Sequence, residues 1–173
     1  MHPTQLAAEY RQLLKFLLGA ATFLFVGTVQ GVVQVLPPIR AWLDSVGSPI
    51  SGPGHMIDPL AHAHINVVGG LVIIGMAVTY YLLPILSGRP VWSKRLIEHS
   101  FWWTAVGVSG FYTTLLSFGI IEGNLLLNNP QAVPGVHHYY APVISVISTV
   151  MGVGFWVFFV NVFCTFRAIY KKE

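Results

Sequence analysis

The chain of 173 residues carries a formal net charge of +3, with 54% hydrophobic and only 9% charged residues, and a mean hydropathy of +0.68. That balance excludes a water-soluble domain and describes an integral membrane protein. A spanning helix takes about 20 apolar residues, so the length holds one all-α membrane domain. The nine basic residues sit at segment ends, where membrane topology explains them, and nucleic acid is excluded as a partner.

Taken in order, residues Gln5 to Lys15 form a helix-favouring run that extends the first span on its cytoplasmic side; His2 reads as disordered. Phe16 to Val35 is the first span, closed by Pro37 and Pro38. Its apolar run exceeds the about 7–15 residues of a signal-peptide core and no small-x-small cleavage site follows, so it reads as retained. Gln30 and Gln34 lie one turn apart near its far end, with Gly27 and Gly31 on a second stripe whose small residues let helices approach closely. Helix packing is the expected role of these four.

Residues 36–57 make a Pro- and Gly-rich loop in which Ile39, Trp42, Leu43 and Val46 are patterned as a short amphipathic helix on the membrane surface, and His55 lies in its last part. The second span covers about 60–83 and is expected to end at Pro84. The third covers about 101–121, with Trp102 and Trp103 placed for the aromatic belt. Glu122 at its exit reads as either solvated or a proton-relay group. Residues 128–140 form another loop, holding Pro130, Pro134, His137, His138, Tyr139 and Tyr140. The fourth span covers about 143–166, with Pro142 in its first turn, where a missing N–H is tolerated.

Four spans put both termini on one side. Arg11, Lys15, Arg89, Lys94, Arg95, Arg167, Lys171 and Lys172 fall on that side against Arg40 alone on the other, and positive residues mark the cytoplasmic face. The expectation is a four-helix bundle in a bacterial cytoplasmic membrane, with both termini cytoplasmic. His55, His62, His64, Glu122, His137 and His138 then converge on the outer, periplasmic face.

His62, His64 and Asn66 stand within an otherwise apolar span, where an imidazole is costly and marks a partner, an ion or a cofactor. At 100° per residue the two histidines point about 200° apart, so they cannot serve one cofactor on a regular helix. His62 shares its face with Asn66, Gly69, Gly70 and Ile73; His64 shares with Val67, Val68, Leu71 and Gly75. Wide apolar faces containing glycine suit a haem macrocycle better than a bare ion. The plainer alternative is that each histidine hydrogen-bonds a neighbouring helix. His137 and His138 read first as loop residues and second as haem ligands, and His99 as a surface residue. Cys164 is the only cysteine, so any haem is held without a Cys-x-x-Cys-His linkage.

The His64-Ile65-Asn66 step, followed by glycines and by Tyr80, Tyr81, Leu82, Leu83 and Pro84, resembles the second helix of haem–copper oxidase subunit I. Glu98-His99-Ser100-Phe101-Trp102-Trp103 with Gly107 and Glu122-Gly123 is similar to the third helix of its nitric oxide reductase and C-type oxidase branch. Pro142, Gly152, Gly154, Asn161 and Thr165 resemble the fourth. The resemblance implies that His64 is an axial ligand of one low-spin, non-covalent b-type haem, with His62 or His138 the next candidate and His137 beside it.

The family's copper or iron histidines and its high-spin haem ligand lie on later helices, and no copper site is visible here. The expected function is therefore a haem b subunit of a respiratory or related redox complex, not catalytic alone. It would carry electrons between a partner and quinone or a periplasmic carrier, with other redox subunits or a second copy supplying the second ligand. The alternative is a haem-free subunit that anchors a larger membrane complex.

Overall fold

The computed structural model describes residues 11–170. His2, residues 5–10 of the expected N-terminal extension, and Lys171 and Lys172 lie outside the described residues. A single turn, Arg11–Leu13, leads into α1, Leu14–Gln34. Then follow α2, Pro37–Ser45, an irregular helical segment α3, Gly52–Ser87, and α4, Lys94–Asn128. A short α5, Val133–His137, precedes α6, Tyr140–Tyr170. The described residues contain no strand, and the segments carrying α1, α3, α4 and α6 are each long and apolar enough to cross a membrane.

Glycine contacts set how the spans meet. Gly27 and Gly31 of α1 face Asn66 and His62 of α3, while Gly69 and Gly70 of α3 face Phe23 and Leu24 of α1, so the two run antiparallel. Gly107 and Gly110 of α4 receive Met151 and Ile147 of α6 in the same antiparallel sense. Without a hydrophobic drive between helices in lipid, such close packing is what associates them. Phe16, Ala20, Ile73, Met76, Tyr80, Ile97 and Phe101 fill one half of the interior, and Met56, Ala61 and Leu115 centre the other.

This alternation puts the start of α1, the end of α3, the start of α4 and the end of α6 together. Arg11, Lys15, Arg89, Lys94, Arg95 and Arg167 therefore gather at one end, with Arg40 at the opposite end. Lys15 pairs with Glu98 there and lies over the Phe101 ring.

Three local expectations change. Pro84 sits inside α3, which continues to Ser87 and stops where Gly88 takes φ 65°; a left-handed glycine, not the proline, ends the helix. α4 begins seven residues before the expected Phe101, because the Ser93 hydroxyl accepts from Leu96 N and caps it at Lys94. The amphipathic segment does form, as α2, with prolines in its first turn. Part of its apolar face turns inward rather than onto the membrane surface: Leu43 and, just past the helix, Val46 are each 1% exposed, Trp42 packs on Gly123 of α4, and Ile39 stays exposed.

α3 owes its irregularity to two features. Asp58, at φ −133° and ψ 109°, interrupts the helix, as the residue before a proline is pushed towards extended geometry. Ile65–Val72 then runs as wide, π-type turns, a local form often found at functional sites.

Candidate functional site

His62 and His64 stand just inward of the break at Asp58, and the structure turns them towards different neighbours. His62 meets α1: a Cβ placed on Gly31 would lie 2.9 Å from its Cε1. Its Nδ1 is buried without a hydrogen-bond partner among the described residues. Asn66, one turn on, donates to the His62 carbonyl at 2.8 Å and fills the space beside Gly27. The glycine-bearing face that His62 shares with Asn66, Gly69 and Gly70 is thus covered by α1.

His64 faces α4 instead, its ring centroid 4.5 Å from that of Phe111. Its Nδ1 lies 2.8 Å from the Leu60 carbonyl oxygen. A carbonyl only accepts, so Nδ1 carries the proton and Nε2 keeps its lone pair. A ligating imidazole is ordinarily oriented this way, by a hydrogen bond from its other nitrogen. His64 thus has an unprotonated Nε2 of the kind a metal could use, whereas His62 faces α1, and the two do not converge on one site.

His137 and His138 sit farther out, beyond α4. His137 Nδ1 lies 3.1 and 3.0 Å from the two carboxylate oxygens of Glu122, and its ring stacks on Tyr140 at 5.5 Å. Glu122 is 2% exposed, so it is buried rather than solvated. His138 is exposed and meets the edge of Tyr139. His55 donates from Nδ1 to the Pro49 carbonyl at 2.5 Å and holds its own turn. Of the histidines expected to converge, the structure joins only His137 to Glu122, and no group of three His, Cys, Asp or Glu residues is placed to hold a metal ion among the described residues.

A polar brace that the sequence reading missed closes the same end. Arg40 of α2 donates from Nη1 to Asp58 Oδ2 at 2.6 Å, from Nε to Asp44 Oδ1 at 2.9 Å, and from Nη2 to Ser48 Oγ at 2.7 Å. Hydrogen bonds to Asp44, then Asp58, hold the guanidinium pKa above its ordinary value. Gln34 donates to Asp58 Oδ1 at 3.3 Å and Gln30 to the Ile57 carbonyl at 3.0 Å, tying α1 to the break in α3. The Arg40–Asp44 spacing of four was the available signal; Asp58 is eighteen residues away and gave none.

Beside this brace lies an apolar cavity of about 550 Å³ between α1, α2 and α4, lined among others by Phe25, Val29, Gln30, Trp42, Tyr112 and Leu116. Gln30 Oε1 is buried without a hydrogen-bond partner among the described residues. Against this geometry, the family model for Cytochrome C and Quinol oxidase polypeptide I matches residues 5–140. No curated protein and no solved structure matches the chain.

Proposed function

The chain belongs to the Cytochrome C and Quinol oxidase polypeptide I family, and from that membership we propose that it is a b-type-haem-binding membrane subunit of a respiratory or related redox complex. The observation that carries this reading is the His64 imidazole, held by the Leu60 carbonyl in the tautomer that leaves Nε2 free. Haem iron bound there would supply one-electron chemistry. The chain's part is to fix the ligand's orientation through Leu60 and to exclude water with the apolar residues of α3 and α4. Any further ligand would be supplied by a partner subunit or a second copy. Electrons would pass between a partner and quinone or a periplasmic carrier; the size and apolar lining of the cavity between α1, α2 and α4 support a quinone ring. The basic end of the bundle faces the cytoplasm, in keeping with the positive-inside rule.

Reduced-minus-oxidised spectra of native membranes test this. The wild-type chain is expected to contribute a b-haem band that His64→Ala abolishes and His62→Ala keeps; a band unchanged in His64→Ala would sink the assignment. One observation favours a second reading, a haem-free anchoring subunit: the His64 ring already packs on Phe111. That reading predicts no Soret absorption in the purified chain or in its complex.

A further inference from the structure

The direction of the His64 ring depends on where α3 resumes its helix. His62–His64 is a three-residue α-helical stretch between wide, π-type turns over Met56–Ala61 and Ile65–Val72. A wide turn takes up an extra residue, so backbone hydrogen bonds alone leave open where the break falls and what phase the helix has after it. A slip of one residue turns a side chain by about 100°, enough to carry His64 off Phe111. Leu60, whose carbonyl holds the ring, is only two residues past Asp58, so the aim of that carbonyl follows the position of the break.

Side chains from other elements pin the break in place. Gln30 Nε2 of α1 donates to the Ile57 carbonyl at 3.0 Å, and Ser48 Oγ, in the loop after α2, donates to the Asp58 carbonyl at 2.9 Å. The Asp58 carboxylate accepts from Arg40 Nη1 of α2 at 2.6 Å and from Gln34 Nε2 of α1 at 3.3 Å. Both carbonyls at the break and both oxygens of its carboxylate are therefore held from outside α3. The His64 ring, by contrast, has one hydrogen bond among the described residues, to Leu60. In water a neutral imidazole favours the proton on Nε2. An imidazole released from Leu60 would return to that form, which covers the nitrogen a metal would use.

We propose that Arg40, Gln34 and Ser48 are positioning residues for His64: by pinning the break at Asp58 they aim the Leu60 carbonyl and keep the ring protonated on Nδ1 with Nε2 bare. The value of that tautomer to electron transfer rests on the haem reading above. The tautomer itself is a property of the haem-free chain, so either idea can fail alone.

The test is nitrogen NMR of the full chain, isotope-labelled at its histidines, haem-free and in lipid bilayers, at mildly alkaline pH where free imidazole is neutral. The His64 signals are those lost in His64→Gln. In the wild type the ring is expected to carry its proton on Nδ1. Arg40→Gln is expected to lower the ratio of the Nδ1–H to the Nε2–H form about ten-fold, and the isosteric Asp58→Asn about three-fold. Asn161→Leu, which loosens the opposite end of the bundle, is expected to leave the ratio unchanged. An unaltered ratio in Asp58→Asn would overturn the positioning role, as would an Asn161→Leu loss equal to that of Arg40→Gln, which marks general loosening. A wild-type ring protonated on Nε2 would also overturn it, while the haem reading would still be judged by its own absorption band.

Discussion

Gly31 on α1 and His62 on α3 are in contact so close that a methyl group on the glycine would stand 2.9 Å from the imidazole Cε1. The contact explains the pairing of a small residue with an intramembrane histidine: the glycine makes the room the ring occupies. It also assigns His62 to the α1–α3 seam.

Replacing that glycine is expected to push the helices apart. Gly31→Ala forces the His62 ring to move, and Gly31→Val adds bulk that the seam cannot take up; overpacking of this kind costs about 1–3 kcal/mol. Thermal unfolding in detergent is expected to show a lower midpoint for both, with the loss in Gly31→Ala largely restored by His62→Ala. Additive losses in the double variant would mean the two residues are not coupled.

The Arg40 brace predicts a similar coupling across α2 and α3. Arg40→Gln and Asp58→Asn each lower the unfolding midpoint, and the double variant is expected to fall no further than the worse single one. Because its partners raise the Arg40 pKa, this contribution is fully present below the unfolded guanidinium's pKa and is lost only as pH rises through the folded one. The difference between wild type and Arg40→Gln is therefore expected to stay constant from neutral to moderately alkaline pH.

Glu122 and His137 make a third test, on a carboxylate that is 2% exposed. Removing His137 leaves that carboxylate without its hydrogen-bond donor, an outcome more costly than replacing both members by neutral groups. His137→Ala is expected to lower the unfolding midpoint and speed amide exchange over 130–137, and adding Glu122→Leu is expected to recover part of the midpoint. A double variant less stable than His137→Ala would contradict the pairing.

At the basic end, Asn161 is 0% exposed. It accepts from Ser93 N and donates to Ser93 O, both at 3.0 Å. Thr165 Oγ1 accepts from Trp92 N at 2.9 Å. These bonds fasten the connection between α3 and α4 to α6. Asn161→Leu, of similar volume, leaves both Ser93 groups unpaired, at a cost of about 1–3 kcal/mol for each such group that stays buried. Denaturant unfolding is expected to register that loss, while Asn124→Leu, at an exposed position whose side chain bonds only its own helix at Ile120 O, is expected to change little.

Whatever depends on local composition and period was legible along the chain. Runs of about 20 apolar residues marked four spans, Lys and Arg at their ends marked the bundle's basic end, and a separation of two positions put His62 and His64 on different faces. Gly27 and Gly31 announced a close helix contact, because small residues at that spacing serve little else in a membrane. Cap chemistry was equally local but outweighed by hydropathy, so Ser93 and Gly88 were overlooked and the ends of α3 and α4 misplaced.

Pairings between distant residues emerge only when the helices are packed together. Arg40 with Asp58, Glu122 with His137, Asn161 with Ser93 and His62 with Gly31 are joined across separations that no periodicity spans. His62–Gly31 is made by antiparallel spans meeting in register, while the other three come from connections between spans folding back onto them. Whether Glu122 met water or an imidazole, and whether α2 lay on the membrane or against α4, depended on how those connections fold back. The tautomer of His64 depended instead on a carbonyl one turn behind it, a bond that exists only once α3 has resumed its helix after Asp58.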